Sequence, residues 1–191
     1  WESDGGLVFD EMLSQSSYGL IACSESVRDH VAERIGVAPG RIDVVLNGVE
    51  AQRFAAGDRE SARAAFGLPP DRPVIAIVGR ISEQKGQAEF VRAAALIRRE
   101  FPQALFLVVG SADDPKLLAQ TEALVRELGL GDALRFTGHV TDMPALYAAI
   151  DLLAAPSRWE GFGLMLVEAM AAGKPIVASA VGAIPEVVVA D

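Results

Sequence analysis

The chain has one cysteine, Cys23, and two histidines, His30 and His139, among its 191 residues. A lone thiol cannot close an internal disulfide, and two histidines with no cysteine or glutamate at ligand spacing argue against a structural metal centre. Scarce cysteine suits a reducing compartment. Positive charge is short as well: 17 Lys and Arg against 26 Asp and Glu leave a formal charge of −9. No overall field draws such a chain to nucleic acid or to an anionic membrane surface, so a bound anion has to be held by local groups. Long hydrophobic runs are missing too. Apolar residues make up 51% of the chain, but Gly, Pro and charge break them into runs shorter than the roughly 20 residues that cross a bilayer, and no signal-peptide pattern opens the sequence. The expectation is a cytoplasmic globular chain, free or peripheral at the membrane as part of an intact protein.

What is present is alternation. Short β-branched and apolar runs take turns with longer amphipathic stretches, the order of βα units around a parallel sheet. Five runs read as strands: VIAIVG from Val74, ALFLVVG from Ala104, LRFTG from Leu134, DLLAA from Asp151 and PIVAS from Pro175. Their near-continuous hydrophobicity predicts burial on both faces. Between them GQAEFVRAAALIRREF, PKLLAQTEALVRELGL, DMPALYAAI and LMLVEAMAAG carry helical spacing of apolar positions, with Gly129 and Gly173 at C-terminal caps. Ahead of these the pattern predicts a helix from about Gly6 to Tyr18, the strand LIAC, a helix SESVRDHVAERIG capped by Ser24, and the strand IDVVL ending at Asn47-Gly48. Two strands and two helices are too few to bury a sheet alone. A short helix between polar linkers is expected within Ala55 to Pro73.

In an open parallel α/β sheet, ligands sit beyond the carboxyl ends of the strands, where strand order reverses. With the common doubly wound order, that crevice falls between the strands beginning at Val74 and Asp151. The segments that follow them, GRISEQKG and PSRWEGFGL, are the richest in glycine and charge. Arg80 and Lys85, with Gly79 and Gly86 permitting tight turns, supply the positive charge that the whole chain lacks, and their natural partner is a phosphate or diphosphate. Taken singly, each also reads as a solvated loop cation.

Gly161 and Gly163 leave room for a ligand against backbone N–H groups at the head of a helix that begins near Leu164, where free amides and the helix dipole favour an anion. Glu160 precedes that helix and Glu168 lies two turns on, roughly 12 Å along the axis if all eight steps are helical. Acids so far apart do not flank one bond as a glycosidase pair must, at about 5 to 9.5 Å. They suit hydroxyls at the two ends of an extended ligand, such as a sugar joined through a diphosphate to a nucleoside. The competing reading is two surface carboxylates on an ordinary helix.

GRISEQKG followed by PSRWEGFGLMLVEAMAAGKPIVAS and PEVV resembles the nucleotide-sugar-binding domain of the retaining GT-B glycosyltransferases of family four, glycosyltransferase group 1, from about Asn47 to the C-terminus. The hinge between that family's two domains is similar to the stretch from Asn47 to Phe54, and residues 1–46 resemble the end of its N-terminal domain. The resemblance implies an α/β fold: a Rossmann-like doubly wound parallel sheet, truncated, in residues 47–191, and a small αβαβ remnant of the acceptor-side domain in 1–46. It implies that Arg80 and Lys85, beside Gly79, hold the donor diphosphate, and that Glu160 contacts the sugar hydroxyls. The main chain at Gly161, Phe162, Gly163 and Leu164 would meet sugar and phosphate, and Glu168 would take the ribose hydroxyls. Gly138 to Val140 falls where the family's main chain contacts the base, which makes His139 and Val140 a pocket wall. The implied reaction is transfer of a sugar from a UDP, GDP or ADP sugar to a hydroxyl of a sugar, a lipid-linked sugar or a small molecule. Configuration would be retained without a bound metal, and Arg80, Lys85 and Glu160 would form the catalytic set. Two departures stand out: Gly182-Ala183 where paired glycines are usual, and Glu50 at the hinge in place of Asp.

Trp1 stands where Met opens a complete chain, so a fragment or processed product is expected, short of most of the acceptor domain and of a sixth strand after Asp191. PIVAS would then be a sheet edge, and self-association through 1–46 or that edge is expected. A solution mass that stays monomeric at every concentration counts against it. Such a fragment is expected to bind donor and transfer little sugar. Alternatives from other classes are a nucleotide-sugar epimerase of related architecture, for which no acid and base can be assigned, and a non-catalytic nucleotide-binding or assembly module. A dinucleotide-dependent dehydrogenase is disfavoured because no Gly-x-Gly-x-x-Gly follows any strand. Cys23 is expected as a small buried residue, and Trp159 as either a wall of the sugar pocket or a packing anchor.

Overall fold

The structure, a computed structural model, describes residues 17–189. In chain order it contains β1 (Leu20–Ala22), α1 (Glu25–Ile35), β2 (Ile42–Val44), α2 (Ala51–Ala55), α3 (Arg59–Ala65), β3 (Val74–Val78), α4 (Gln87–Glu100), β4 (Leu105–Val109), α5 (Pro115–Glu127), β5 (Leu134–Gly138), α6 (Met143–Ala149), β6 (Leu152–Ala155), α7 (Leu164–Ala171), β7 (Ile176–Ala178) and α8 (Ile184–Val187). The helix expected from about Gly6 lies outside the described residues, apart from Ser17 and Tyr18, which form a bend.

The described residues divide into two compact units, one of 17–48, Glu160–Gly163 and 180–189, the other of Val49–Trp159 and Leu164–Ser179. The sequence reading places the two later segments of the first unit in the larger domain. Hydrogen bonds draw them to the first instead. Ser24 Oγ donates to Gly161 O at 2.7 Å, Ala183 N–H donates to Glu160 O at 3.0 Å, and the Glu186 carboxylate accepts from the N–H groups of Glu25 and Ser26, both at 2.8 Å. In that unit β1 and β2 pair in parallel, Leu20 opposite Ile42, and Ala32 of α1 and Val37, just past its end, pack beside Ala22 and Ile42. The Ser24 cap is as expected: its hydroxyl accepts from Val27 N at 3.0 Å, and Gly36 ends the helix at φ 67°.

In the larger unit the sheet is wholly parallel in the order β5-β4-β3-β6-β7. The chain steps outward from β3 to β5 and returns to β6 on the other side of β3, so strand order reverses between β3 and β6, as the sequence predicts. All five residues of β4 are buried, as are four of the five in β3. The edge strands differ because only one side of each is covered: Val177 in β7 is 62% exposed. Helix α4 buries Gln87, Phe90, Val91 and Ala94, one face at helical spacing. Phe90 meets Phe106 edge to face with ring centroids 6.1 Å apart, and Val125, Leu130 and Leu134 complete that core. Each such buried side chain contributes roughly 1.5–3 kcal/mol. Helix α6, begun by Asp142 accepting from Ala145 N at 3.1 Å, packs against α2 and α3, and α2 in turn against α7.

The amino ends of β3 and β6 are tied together by Arg63 of α3, whose side chain is 2% exposed. Its Nε donates to Ala149 O at 3.0 Å, and its Nη1 lies 2.9, 2.6 and 2.9 Å from the carbonyls of Pro69, Pro70 and Arg72. Nη2 donates to Asp151 Oδ2 at 2.6 Å, an atom that also accepts from Val74 N at 2.8 Å. Arg59 pairs with the other Asp151 oxygen. This cluster sits at the end of the sheet away from the glycine-rich loops and leaves that opposite edge clear.

Candidate functional site

In a parallel sheet every strand ends on the same edge, and in the larger unit that edge carries the sequence-selected residues. Gly79 and Arg80 follow β3, Pro156 to Trp159 follow β6, and His139 and Val140 follow β5. The loops after β3 and β6 are laced together. Arg158 N–H donates to Gln84 O at 2.8 Å, the Gln84 amide donates to Trp159 O at 3.1 Å, and Arg158 pairs with Glu89 at 2.7 Å. Gly86, which opens α4 at φ 75°, makes the close approach possible: a β-carbon there would stand 2.2 Å from Pro156 O.

Lys85 and Arg80 turn to different elements. A β-carbon on Gly79 would stand 3.1 Å from Lys85 Cε, so the lysine stem runs over the end of β3. Its ammonium reaches Met165 Sδ, 3.9 Å away in the first turn of α7. Arg80 is exposed and pairs with Asp113, on the loop after β4, at 2.7 Å. Asp113 was not selected by sequence, and nothing in SADDP separates a guanidinium partner from an ordinary loop acid. His139 is exposed and Val140 partly so, both at the end of edge strand β5.

Helix α7 begins at Leu164, as expected. Glu160 to Gly163 is not helical, so the helical rise applies only from Leu164 on, and the 12 Å figure does not carry over to the Glu160–Glu168 pair. Glu168 is half-buried, and its Oε2 accepts a 2.9 Å hydrogen bond from the Tyr147 hydroxyl of α6. Burial pushes the Glu168 carboxyl up from its usual range, while the Tyr147 bond pulls it back. The Tyr147 phenol is itself driven upward, by burial first and then by the charge of Glu168, and so remains a neutral donor. Sequence reasoning missed Tyr147. The available signal was a tyrosine within an apolar helix, whose hydroxyl needs a partner once buried.

The smaller unit holds the turn at Glu160–Gly163. The Gly161 carbonyl accepts from Ser24 Oγ and, at 3.4 Å, from Cys23 Sγ, which fixes the peptide plane. Cys23 is only partly buried, unlike the expectation, because it leaves β1 toward this turn. Phe162 is buried, 6% exposed. Gly182 (φ 53°) passes so near that a β-carbon would lie 2.3 Å from Glu160 O, whereas Ala183 fits, fully buried, with its N–H on that same oxygen. Of the usual glycine pair, the one the geometry demands is thus present.

Among the described residues no three His, Cys, Asp or Glu side chains converge to hold a metal ion, and no helix is long and apolar enough to cross a membrane.

The family model for glycosyl transferases group 1 matches residues 58–191. The chain belongs to this family. As a group 1 glycosyl transferase sequence, it is 42% identical over 172 residues to the D-inositol 3-phosphate glycosyltransferase of Mycobacterium tuberculosis, covering 87% of this chain and 35% of that one. It therefore spans about a third of the length of the curated relatives it matches. Anabaena HepE in complex with UDP-glucose superimposes with a TM-score of 0.90 at 28% identity, over 98% of this chain and 52% of that one. The C-terminal domain of the group 1 protein LpcC from Francisella tularensis, 34% identical, gives a TM-score of 0.67 over 75% and 76% of the two chains. These GT-B neighbours share the α/β architecture with parallel sheets.

Proposed function

We propose that this chain forms the donor side of a retaining glycosyltransferase that takes a nucleoside-diphosphate sugar and transfers the sugar to an acceptor hydroxyl. The observation that carries the reading is the Lys85 ammonium, laid over the end of β3 at the sheet's reversal point and directed to the first turn of α7. There a cation and the amino end of a helix together favour a diphosphate. HepE in complex with UDP and with UDP-glucose supports uracil as the base. In this reading Arg80 and Lys85 hold the diphosphate, Glu160 contacts the sugar hydroxyls, and the main chain from Gly161 to Leu164 meets sugar and phosphate. Glu168 takes the ribose hydroxyls, and His139 and Val140 wall the base.

The bond between the anomeric carbon and the diphosphate oxygen breaks, one to the acceptor oxygen forms on the same face, the electron pair leaves with the diphosphate, and the acceptor hydroxyl proton passes to the departing diphosphate oxygen. Lys85 and Arg80 stabilise that growing charge, an electrostatic role of the kind that dominates many rate enhancements. Turnover by the intact protein is proposed to need residues beyond this chain, so the test is binding. Calorimetric titration with UDP, GDP and ADP is expected to show saturable binding of UDP, weakened by Arg80→Ala and by Glu168→Ala. No binding of any of the three by the folded chain would sink the reading.

A further inference from the structure

Glu168 is a half-buried carboxylate with no cation paired to it among the described residues; its hydrogen-bond partner is a neutral phenol. A helix residue placed only for packing would not need a charge there, because burying one without a counter-charge is unfavourable. Nor does Tyr147 need a carboxylate. Its hydroxyl also lies 3.1 Å from Met165 O, which alone would satisfy it. The tyrosine is 0% exposed, and its ring is fixed edge to face against Phe54 at a centroid distance of 5.9 Å. The phenol oxygen is therefore held in one place, and Glu168 Oε2, at 2.9 Å, is the nearer of its two acceptors. An ionised carboxylate offers about four acceptor positions, of which the phenol takes one, leaving the rest for hydroxyls of a ligand.

We propose that Tyr147 is a positioning residue that holds the Glu168 carboxylate in one orientation for a ribose diol, and so sets a preference for ribonucleoside over deoxyribonucleoside diphosphates. The inference rests on the donor reading above. It adds a residue that touches no ligand and acts through Glu168. A side chain with three freely rotating bonds has to be ordered when it binds, and an anchor made in advance removes that cost from the binding step.

Calorimetry with UDP and 2′,3′-dideoxy-UDP, on the unaltered chain and on Tyr147→Phe, tests it. The unaltered chain is expected to bind UDP about 10-fold or more tighter than the dideoxy compound, the size of a hydrogen bond to a charged group. Tyr147→Phe is expected to lose most of that ratio through weaker UDP binding alone, with dideoxy binding unchanged. Equal weakening of both ligands, or an unchanged ratio, overturns the inference while leaving the donor reading intact. Failure of the unaltered chain to bind any diphosphate overturns both. A second measurement avoids altering the fold. The chain has two tyrosines, Tyr18 and Tyr147, and Tyr18 is fully exposed. In chain labelled with 3-fluorotyrosine, the fluorine resonance of Tyr147 is expected to move with UDP and stay still with dideoxy-UDP. A resonance that ignores UDP, or answers both ligands alike, refutes the proposal.

Discussion

Replacing Lys85 by alanine is expected to weaken UDP binding about 10- to 150-fold, the loss of one charge-assisted hydrogen bond worth roughly 1.5–3 kcal/mol. The upper end is favoured by position. The lysine stem is only partly exposed and packs over Gly79, so its ammonium is placed before the ligand arrives and spends little side-chain entropy on binding. Arg80 is 68% exposed, so solvent screening reduces its contribution. Lys85→Met is the informative control, because methionine keeps an apolar stem over the end of β3 and removes only the charge. It is expected to bind UDP as poorly as the alanine variant. Calorimetry at two ionic strengths checks the cause: the unaltered chain should lose affinity as salt rises, and the methionine variant should lose less. A methionine variant that binds UDP as well as the unaltered chain would remove Lys85 from the diphosphate site.

The strands and helices that build this edge were legible because they rest on local rules. VIAIVG and ALFLVVG read as buried strands from their unbroken β-branched and apolar residues, and Ser24 opens α1 through its own capping preference. The reversal between β3 and β6 was legible from the α/β pattern, and it placed Lys85 and the head of α7 on one edge. Contacts decided by tertiary packing were not legible. Tyr147 meets Glu168 across 21 residues and Arg80 meets Asp113 across 33. Neither pairing leaves a periodic trace, since the partners sit on different elements. The turn at Glu160–Gly163 was found as a motif, but its attachment to Ser24 spans 137 residues and gives no local sign. Arg63 is the plainest case. Within a polar stretch read as a short helix between linkers it looks like a surface cation, yet it is among the most buried side chains described.

For that reason Arg63→Ala is expected to be the most destabilising change at any charged position described. A buried ion-paired arginine that is truncated leaves Asp151 short of a partner and the carbonyls of Ala149, Pro69, Pro70 and Arg72 without their donor, a loss of roughly 3–5 kcal/mol. In a domain of this size that corresponds to a melting temperature lower by about 6–20 °C. Arg63→Lys should recover only a minor part, because one ammonium cannot reach carbonyls spread around a planar fork. The same cluster sets an acid limit. Burial by itself would raise the Asp151 carboxyl, but the hydrogen bonds from Arg59 and Val74 N–H and the charges of Arg63 and Arg59 outweigh it and hold the group below its usual range. A carboxyl depressed in the folded state stabilises above the unfolded value, about 3.9, and that contribution disappears as pH falls through the lower folded value. Thermal melts from pH 7 downward should therefore show the unaltered chain losing stability below about pH 4, with the Arg63→Ala variant, lower throughout, losing less over the same interval. Equal melting temperatures for the two chains at pH 7 would show that the cluster does not hold the amino ends of β3 and β6 together.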